Sequence, residues 1–199
     1  MSGMTSIKEI YKIGRGPSSS HTIGAERACK IFKKQNADAD KFKAILFGSL
    51  AKTGEGHGTD TVIVKTFEPT PCEIEFNMSD NNIPHPNTMV LIAFKDGIEI
   101  ARTRVFSVGG GYIEFENMSP EKLKNVYPHD KFTDIAAYCK EKSIKLWQYA
   151  LEFEGAELKQ HIATIWDAMK RSIKNGLEDE GILPGGLEVQ KKQKRFLIA

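Results

Sequence analysis

The sequence predicts an α+β fold: helices packed on a mostly antiparallel sheet, followed by the first helices of an all-α part that the chain leaves incomplete. Three observations carry this prediction. Cys72, Ile74, Phe76 and Met78 alternate with polar residues, the period-two pattern of a half-buried strand. Asp96-Gly97 lies between two β-rich runs, "TMVLIAFKDG" and "IEIARTRVFSVGGG", and is the strongest local hairpin signal in the chain. Beyond Ser119-Pro120 the apolar spacing changes to three and four, the period of amphipathic helices.

Taken in order, "TSIKEIYKI" (5–13) reads as either a short helix or a strand, and Gly14 with Gly16-Pro17 breaks it. From His21 to Lys34 the positions Ile23, Ala25, Ala28, Cys29, Ile31 and Phe32 suit an amphipathic helix. "FKAILFGSLA" (42–51) is a strand candidate that runs into a glycine-rich loop, and "DTVIVKTF" (60–67) fits a strand or a short helix. "SPEKLKNVYP" has a capping serine, a proline at the first helical position and an early glutamate, which predict a helix start. "FTDIAAYCKEK" and "SIKLWQYALEFEG" follow as helices, the second ended by Gly155. Leu158, Ile162, Ile165, Trp166, Met169 and Ile173 then mark a long amphipathic helix, expected to stop at Asn175-Gly176.

Composition narrows the function classes. With 199 residues and 40% hydrophobic residues, the chain suffices for one globular domain and a second small element. Its 28 basic and 26 acidic residues nearly balance, and no basic stripe precedes the last ten residues, so nucleic acid is not expected as a partner. No apolar run approaches the roughly 20 residues of a membrane helix, and the N-terminus lacks a secretory pattern. Cys29, Cys72 and Cys139 are scattered and form no CxxC pair, which predicts reduced cytoplasmic thiols and no metal ligands in this chain.

Three polar loops hold the residues suited to chemistry. "GPSSSHT" places Ser18, Ser19, Ser20, His21 and Thr22 before a helix, where hydroxyls cap exposed N–H groups and the same groups bind a carboxylate or phosphate. It lacks the GxSxG spacing of a hydrolase nucleophile. "GSLAKTGEGHGTD" surrounds His57 with glycines, with Thr53, Thr59 and Asp60 nearby. It matches neither a phosphate-binding lysine loop nor a dinucleotide fingerprint. Its imidazole suits proton transfer near neutral pH. "NNIPHPNTM" holds His85 between two prolines, followed by Asn87 and Thr88. Each loop alone also admits a purely structural role.

Together, "GPSSSHT", "GSLAKTGEGHGTD", "PHPNTM", "SVGGGYI" and "EGILPGGLEV" resemble, in order, the iron–sulfur-dependent L-serine dehydratases (L-serine ammonia-lyases) of bacteria. The resemblance implies a β-type domain over residues 1–144 and the N-terminal part of a catalytic α domain over 145–199. It further implies a cytoplasmic, dimeric enzyme that converts L-serine to pyruvate and ammonia on a [4Fe–4S] cluster. In that family the cluster cysteines lie in a downstream α part, so this chain alone is expected to lack cluster and activity. The resemblance gives His57 and His85 catalytic roles, without saying which is the base. It assigns Ser18, Ser19, Ser20, His21 and Thr22 to the substrate carboxylate, and Thr59, Asp60, Asn87 and Thr88 to other substrate contacts. The rival expectation is a small-anion or amino-acid binding module without catalysis.

Overall fold

A computed structural model describes residues 4–79, 83–118, 123–183 and 188–193. In chain order the elements are β1 (Met4–Thr5), a 3-10 turn (Ile7–Glu9), a wide π-type turn (Ser19–Ile23), α1 (Gly24–Gln35) and β2 (Lys41–Phe47). Next come α2 (Gly48–His57), α3 (Thr59–Phe67), β3 (Cys72–Asn77), β4 (Thr88–Lys95), β5 (Ile98–Gly109) and β6 (Tyr112–Phe115). The last are β7 (Asn125–Tyr127), α4 (Phe132–Glu141), α5 (Leu146–Glu154) and α6 (Glu157–Glu178). Contacts divide the chain into two units, Gly14–Glu121 and a second made of Met1–Ile13 with Lys122–Ala199.

In the unit Gly14–Glu121, five strands form a sheet in the order β3-β2-β4-β5-β6. Only β2 and β3 run parallel, because α2 and α3 form the crossover between them; the other three pairs are antiparallel. The α+β expectation with a mostly antiparallel sheet is met. One face of the sheet is buried: Phe42, Ala44 and Leu46 of β2 and Met89, Leu91 and Ala93 of β4 pack with Ala28, Cys29 and Phe32 of α1 and Ile63 and Phe67 of α3. Phe42 and Phe67 stack at 4.1 Å between ring centroids. The other face carries Lys43 paired with Glu73 and Glu75, and Arg104 paired with Glu116. Val90 and Ile92 point to this face yet are buried; their register partners are Ile45 and Arg104, and Lys43 and Arg102, whose long stems cover apolar neighbours.

The β4–β5 hairpin turns at Asp96 and Gly97, with φ of 52° and 78°. Positive φ at both central residues is the requirement of the tight hairpin turn read from the dipeptide. "DTVIVKTF" resolves to helix: Thr59, Val62, Ile63 and Phe67 are its buried residues, and their spacing outweighs the strand preference of its β-branched side chains.

In the second unit β1 pairs with β7. The helix expected over "SPEKLKNVYP" differs from this: residues 119–122 lie outside the described residues, and Asn125–Tyr127 form β7, where pairing with β1 decides the conformation. Tyr127, Ile135 and Tyr149 are buried at the centre of an aromatic cluster with Tyr138 and Phe153. α6 runs through Asn175-Gly176 to Glu178, because Gly176 lacks the positive φ that would end it and the Asp179 N–H still reaches the Asn175 carbonyl. Ile162, Trp166, Met169 and Ile173 of α6 are exposed, and an open apolar groove is lined by Ile7, Leu151, Leu158, Ile162 and Trp166. Most of "EGILPGGLEV" beyond Leu183 and the end of the basic tail fall outside the described residues.

Glu154 ties the N-terminal segment to α5. Its carboxylate accepts from the Ser6 hydroxyl at 2.6 Å, the Ile7 N–H at 2.7 Å and the Tyr127 hydroxyl at 2.8 Å. Burial alone pushes this carboxyl up, but the three hydrogen bonds and nearby Lys8 outweigh it and hold it below its ordinary range. Glu154→Gln is therefore expected to destabilise this unit by about 1–3 kcal/mol, the range for hydrogen bonds to a charged group. Urea melts followed by tryptophan fluorescence read this unit selectively, since both tryptophans, Trp147 and Trp166, belong to it. The contribution is complete above the unfolded carboxyl value of about 4.3 and disappears as pH falls through the lower folded value, so the gap between wild type and variant closes in acid.

Candidate active site

The serine run forms a single wide turn ahead of α1. Ser18 is extended and caps it, its hydroxyl accepting from the His21 N–H at 3.4 Å. Thr22 is fully buried; its N–H donates to the Ser18 carbonyl at 2.9 Å and its hydroxyl donates to the carbonyls of Ser18 and Arg15. Ser18 and Thr22 thus hold the turn in shape. Ser19 is exposed, Ser20 is half-buried, and among the described residues neither hydroxyl has a partner.

His21 is only 7% exposed and both its ring nitrogens are engaged. Nδ1 lies 3.0 Å from the Ser18 hydroxyl and Nε2 lies 3.0 Å from the Thr53 hydroxyl. The Thr53 hydroxyl already donates to the Ser49 carbonyl at 2.9 Å. It can only accept from His21, so the proton of the neutral ring sits on Nε2 and Nδ1 accepts from Ser18. Desolvation lowers the affinity of His21 for a second proton; the Ser49 carbonyl opposes this and neighbouring His57 adds to it to a smaller extent.

The glycine-rich stretch, read as a loop, is a helix over Gly48–His57. Tertiary packing overrides the low helix propensity of its glycines: Leu50, Ala51 and Gly54 are buried, and a Cβ on Gly54 would already touch Phe76 and Thr59 at 3.4 Å. Gly58, at φ 70°, ends α2 in the left-handed conformation. The helix places Ser49, Thr53 and His57 at every fourth position, along the side that meets His21. His57 Nδ1 donates to the Thr53 carbonyl at 2.7 Å, which leaves Nε2 of the neutral ring as a free lone pair. The rings of His21 and His57 stack at 4.4 Å, 28° from parallel.

The third segment docks on the first turn of α2. The Ser49 N–H donates to the Pro86 carbonyl at 2.7 Å. His85 Nδ1 accepts from the Asn87 N–H at 3.0 Å, so its neutral ring carries the proton on Nε2. Thr88 is buried and donates to the His85 carbonyl at 2.5 Å, while the Asn87 amide reaches the Ser107 carbonyl at 3.3 Å. These two side chains hold the turn that presents His85. In their neutral forms the Nε2 of His57 is therefore a lone pair and that of His85 an N–H. Thr59 is fully buried at the start of α3 with its hydroxyl unpartnered among the described residues, as is the buried Oδ1 of Asp60.

The thiols do not join this site. Burial pushes Cys29 far up from its ordinary value and Cys72 up to about 12. Among the described residues no three His, Cys, Asp or Glu side chains gather as a metal site. The side chains described do not fit an iron–sulfur cluster.

Residues 6–73, which include the serine turn and His57, match a family model described as the serine dehydratase beta chain. The chain is 28% identical to "L-serine dehydratase 2" of Escherichia coli, an alignment covering 98% of this chain and 55% of that protein. It is 29% identical to the L-serine dehydratase of Haemophilus influenzae, over 95% of this chain and 53% of that protein. Over nearly its whole length the chain is therefore similar to L-serine dehydratases, and its first third to their beta chain. It spans about half the length of the curated relatives it matches.

Residues to which the sequence reading gives no role complete the site, Thr53 being noted there only as a neighbour of His57. Ser49 joins the His85 turn to His21, and Thr53 touches both His21 and His57. The signal that would have found them is their spacing of four with His57, hidden by reading the glycines as a loop. Gly48 is the third: its φ is +53°, and a Cβ there would stand 2.4 Å from the Pro86 carbonyl oxygen. Gly48→Ala should destabilise the unit Gly14–Glu121 by roughly 1–3 kcal/mol, the range for a residue held in an unfavourable backbone region. It should also separate the His85 turn from α2, seen as faster hydrogen exchange at the Ser49 amide; unchanged stability and exchange would contradict this account.

Proposed function

We propose that this chain supplies the substrate-holding and proton-abstracting part of an L-serine ammonia-lyase that acts together with a cluster-bearing α part. The observation that carries the reading is His57: its Nδ1 is committed to the Thr53 carbonyl and its Nε2 is free, within the segment matched by the serine dehydratase model. A base at Nε2 suits removal of the Cα proton of L-serine. The Ser19 and Ser20 hydroxyls, with the N–H groups of the helix entrance, suit the substrate carboxylate. The Nε2–H of His85 suits a polar substrate oxygen. Asp60 remains as a supporting contact, whereas Thr59 is fully buried and Asn87 and Thr88 are engaged in holding the His85 turn, so these three support the site from behind.

No metal-dependent step is derived from the residues described, since they do not fit a cluster; the reading assigns the [4Fe–4S] cluster and the departure of the hydroxyl to the α part. Proton removal from Cα and loss of hydroxide give water and aminoacrylate, which tautomerises and hydrolyses to pyruvate and ammonia. The cytoplasmic setting and the homodimer implied by the family resemblance belong to the same proposal. The second reading, an amino-acid binding module, is favoured by the unpartnered Ser19 and Ser20 hydroxyls, which need no cluster to hold an anion.

The test combines this chain with a cluster-bearing α part under anaerobic conditions and assays pyruvate. His57→Ala and His85→Ala should each cost about 100-fold or more in turnover, the usual contribution of acid–base groups, with thermal melting unchanged. Turnover near wild type removes that residue from the catalytic pair. L-Serine binding to the chain without turnover in the combined system selects the binding-module reading. Ser19→Ala and Ser20→Ala should raise KM and leave stability alone, whereas Ser18→Ala should cost about 0.5–2 kcal/mol as a lost cap.

A further inference from the structure

Where the turn at Ser18 meets the helix α2, beside Ser49, lies a side chain that the proposed mechanism has not used. Thr53 presents two oxygens to two different histidines. Its hydroxyl accepts from His21 Nε2 at 3.0 Å, and its carbonyl accepts from His57 Nδ1 at 2.7 Å. Between those contacts the two imidazoles lie face to face at 4.4 Å. Both nitrogens of His21 are occupied by protein hydroxyls, so this ring has no N–H or lone pair left for a substrate.

We propose that Thr53 is a positioning residue, which with Ser18 holds His21 as an uncharged Nε2–H platform on which His57 rests with its Nε2 lone pair turned outward. The inference rests on the reading of His57 as the base and gives His21 a role other than substrate binding. The physical case is electrostatic. When His57 takes a proton it becomes a cation stacked on its neighbour. A neutral ring accepts that cation on its π-face, whereas a charged ring at the same distance would oppose it. The Thr53 hydroxyl excludes the wrong arrangement because its own proton is committed to the Ser49 carbonyl at 2.9 Å, so it can only accept from His21.

The experiment records long-range proton–nitrogen correlation spectra of this chain with isotope-labelled histidine, for wild type, Thr53→Val and Thr53→Ser. Wild type should show His21 as the Nε2–H form and His57 as the Nδ1–H form. Thr53→Val should shift the His21 Nε2–H signal and let the Nδ1–H form appear beside it, since the acceptor left to Nε2 is the Ser49 carbonyl at 3.4 Å, and should keep the pattern of His57, whose acceptor is a backbone carbonyl. Thr53→Ser should restore the wild-type spectrum. An Nδ1–H form of His21 in wild type overturns the proposal, and this result stands even if the valine variant does not fold. A His21 spectrum unchanged from wild type in a folded Thr53→Val protein overturns it too.

In the combined enzyme, Thr53→Val should lower kcat up to roughly tenfold, the scale of one neutral hydrogen bond, with KM little changed and Thr53→Ser recovering the loss. An unchanged kcat beside a shifted His21 pattern overturns the link to His57. The spectra need no turnover, so a wild-type combination without serine dehydration sinks the functional reading and leaves the arrangement of Thr53, His21 and His57 to be judged on the spectra.

Discussion

The site depends on a close approach between backbones. Position 48 carries no side chain, and the Pro86 carbonyl occupies the space where a Cβ would stand. That approach lets the Ser49 N–H meet the carbonyl and seats the His85 turn on the first turn of α2. Ser49 also faces His21, so one glycine brings together three segments that are far apart in sequence. Gly24 allows a similar approach, since a Cβ there would collide with the Ser107 hydroxyl. The Gly48 contact sits where β2 gives way to α2, and the Gly24 contact where the serine turn passes into α1 against β5.

Within that frame the histidines are differentiated by what their second nitrogen touches. His57 rests on a carbonyl, His85 on an N–H, and His21 between two hydroxyls. An identical side chain thus becomes a lone-pair donor, a proton donor or a filled spacer. None of the three relies on an ionised partner, so the differentiation comes from hydrogen-bond direction and not from charge.

Much of the fold was legible before any coordinates. The hairpin at Asp96-Gly97, the alternation in β3, the helix following the serine run and α4–α6 all follow from local periodicity or turn chemistry. Three elements depart from the local reading. The stretch 48–57 reads as a loop by its glycines, each of which disfavours helix by about 1 kcal/mol, yet buried Leu50 and Ala51 against the sheet outweigh that. Asn125–Tyr127 was read as helix, and a strand partner more than a hundred residues away decides otherwise. The helix stop expected at Gly176 failed because a glycine ends a helix only where its backbone turns left-handed.

By itself the sequence determined which residues are candidates for chemistry and which family they resemble, because hydroxyls, imidazoles and glycines in fixed local order survive as readable patterns. It also determined the alternation and helical stripes that set the two faces of each element. Only the tertiary structure decided that His21 stacks on His57, that Ser49 and Thr53 belong to the site, and which nitrogen of each imidazole is free. Those outcomes depend on contacts between residues roughly 30 positions apart, and on which neighbour donates or accepts, and neither is encoded in local spacing.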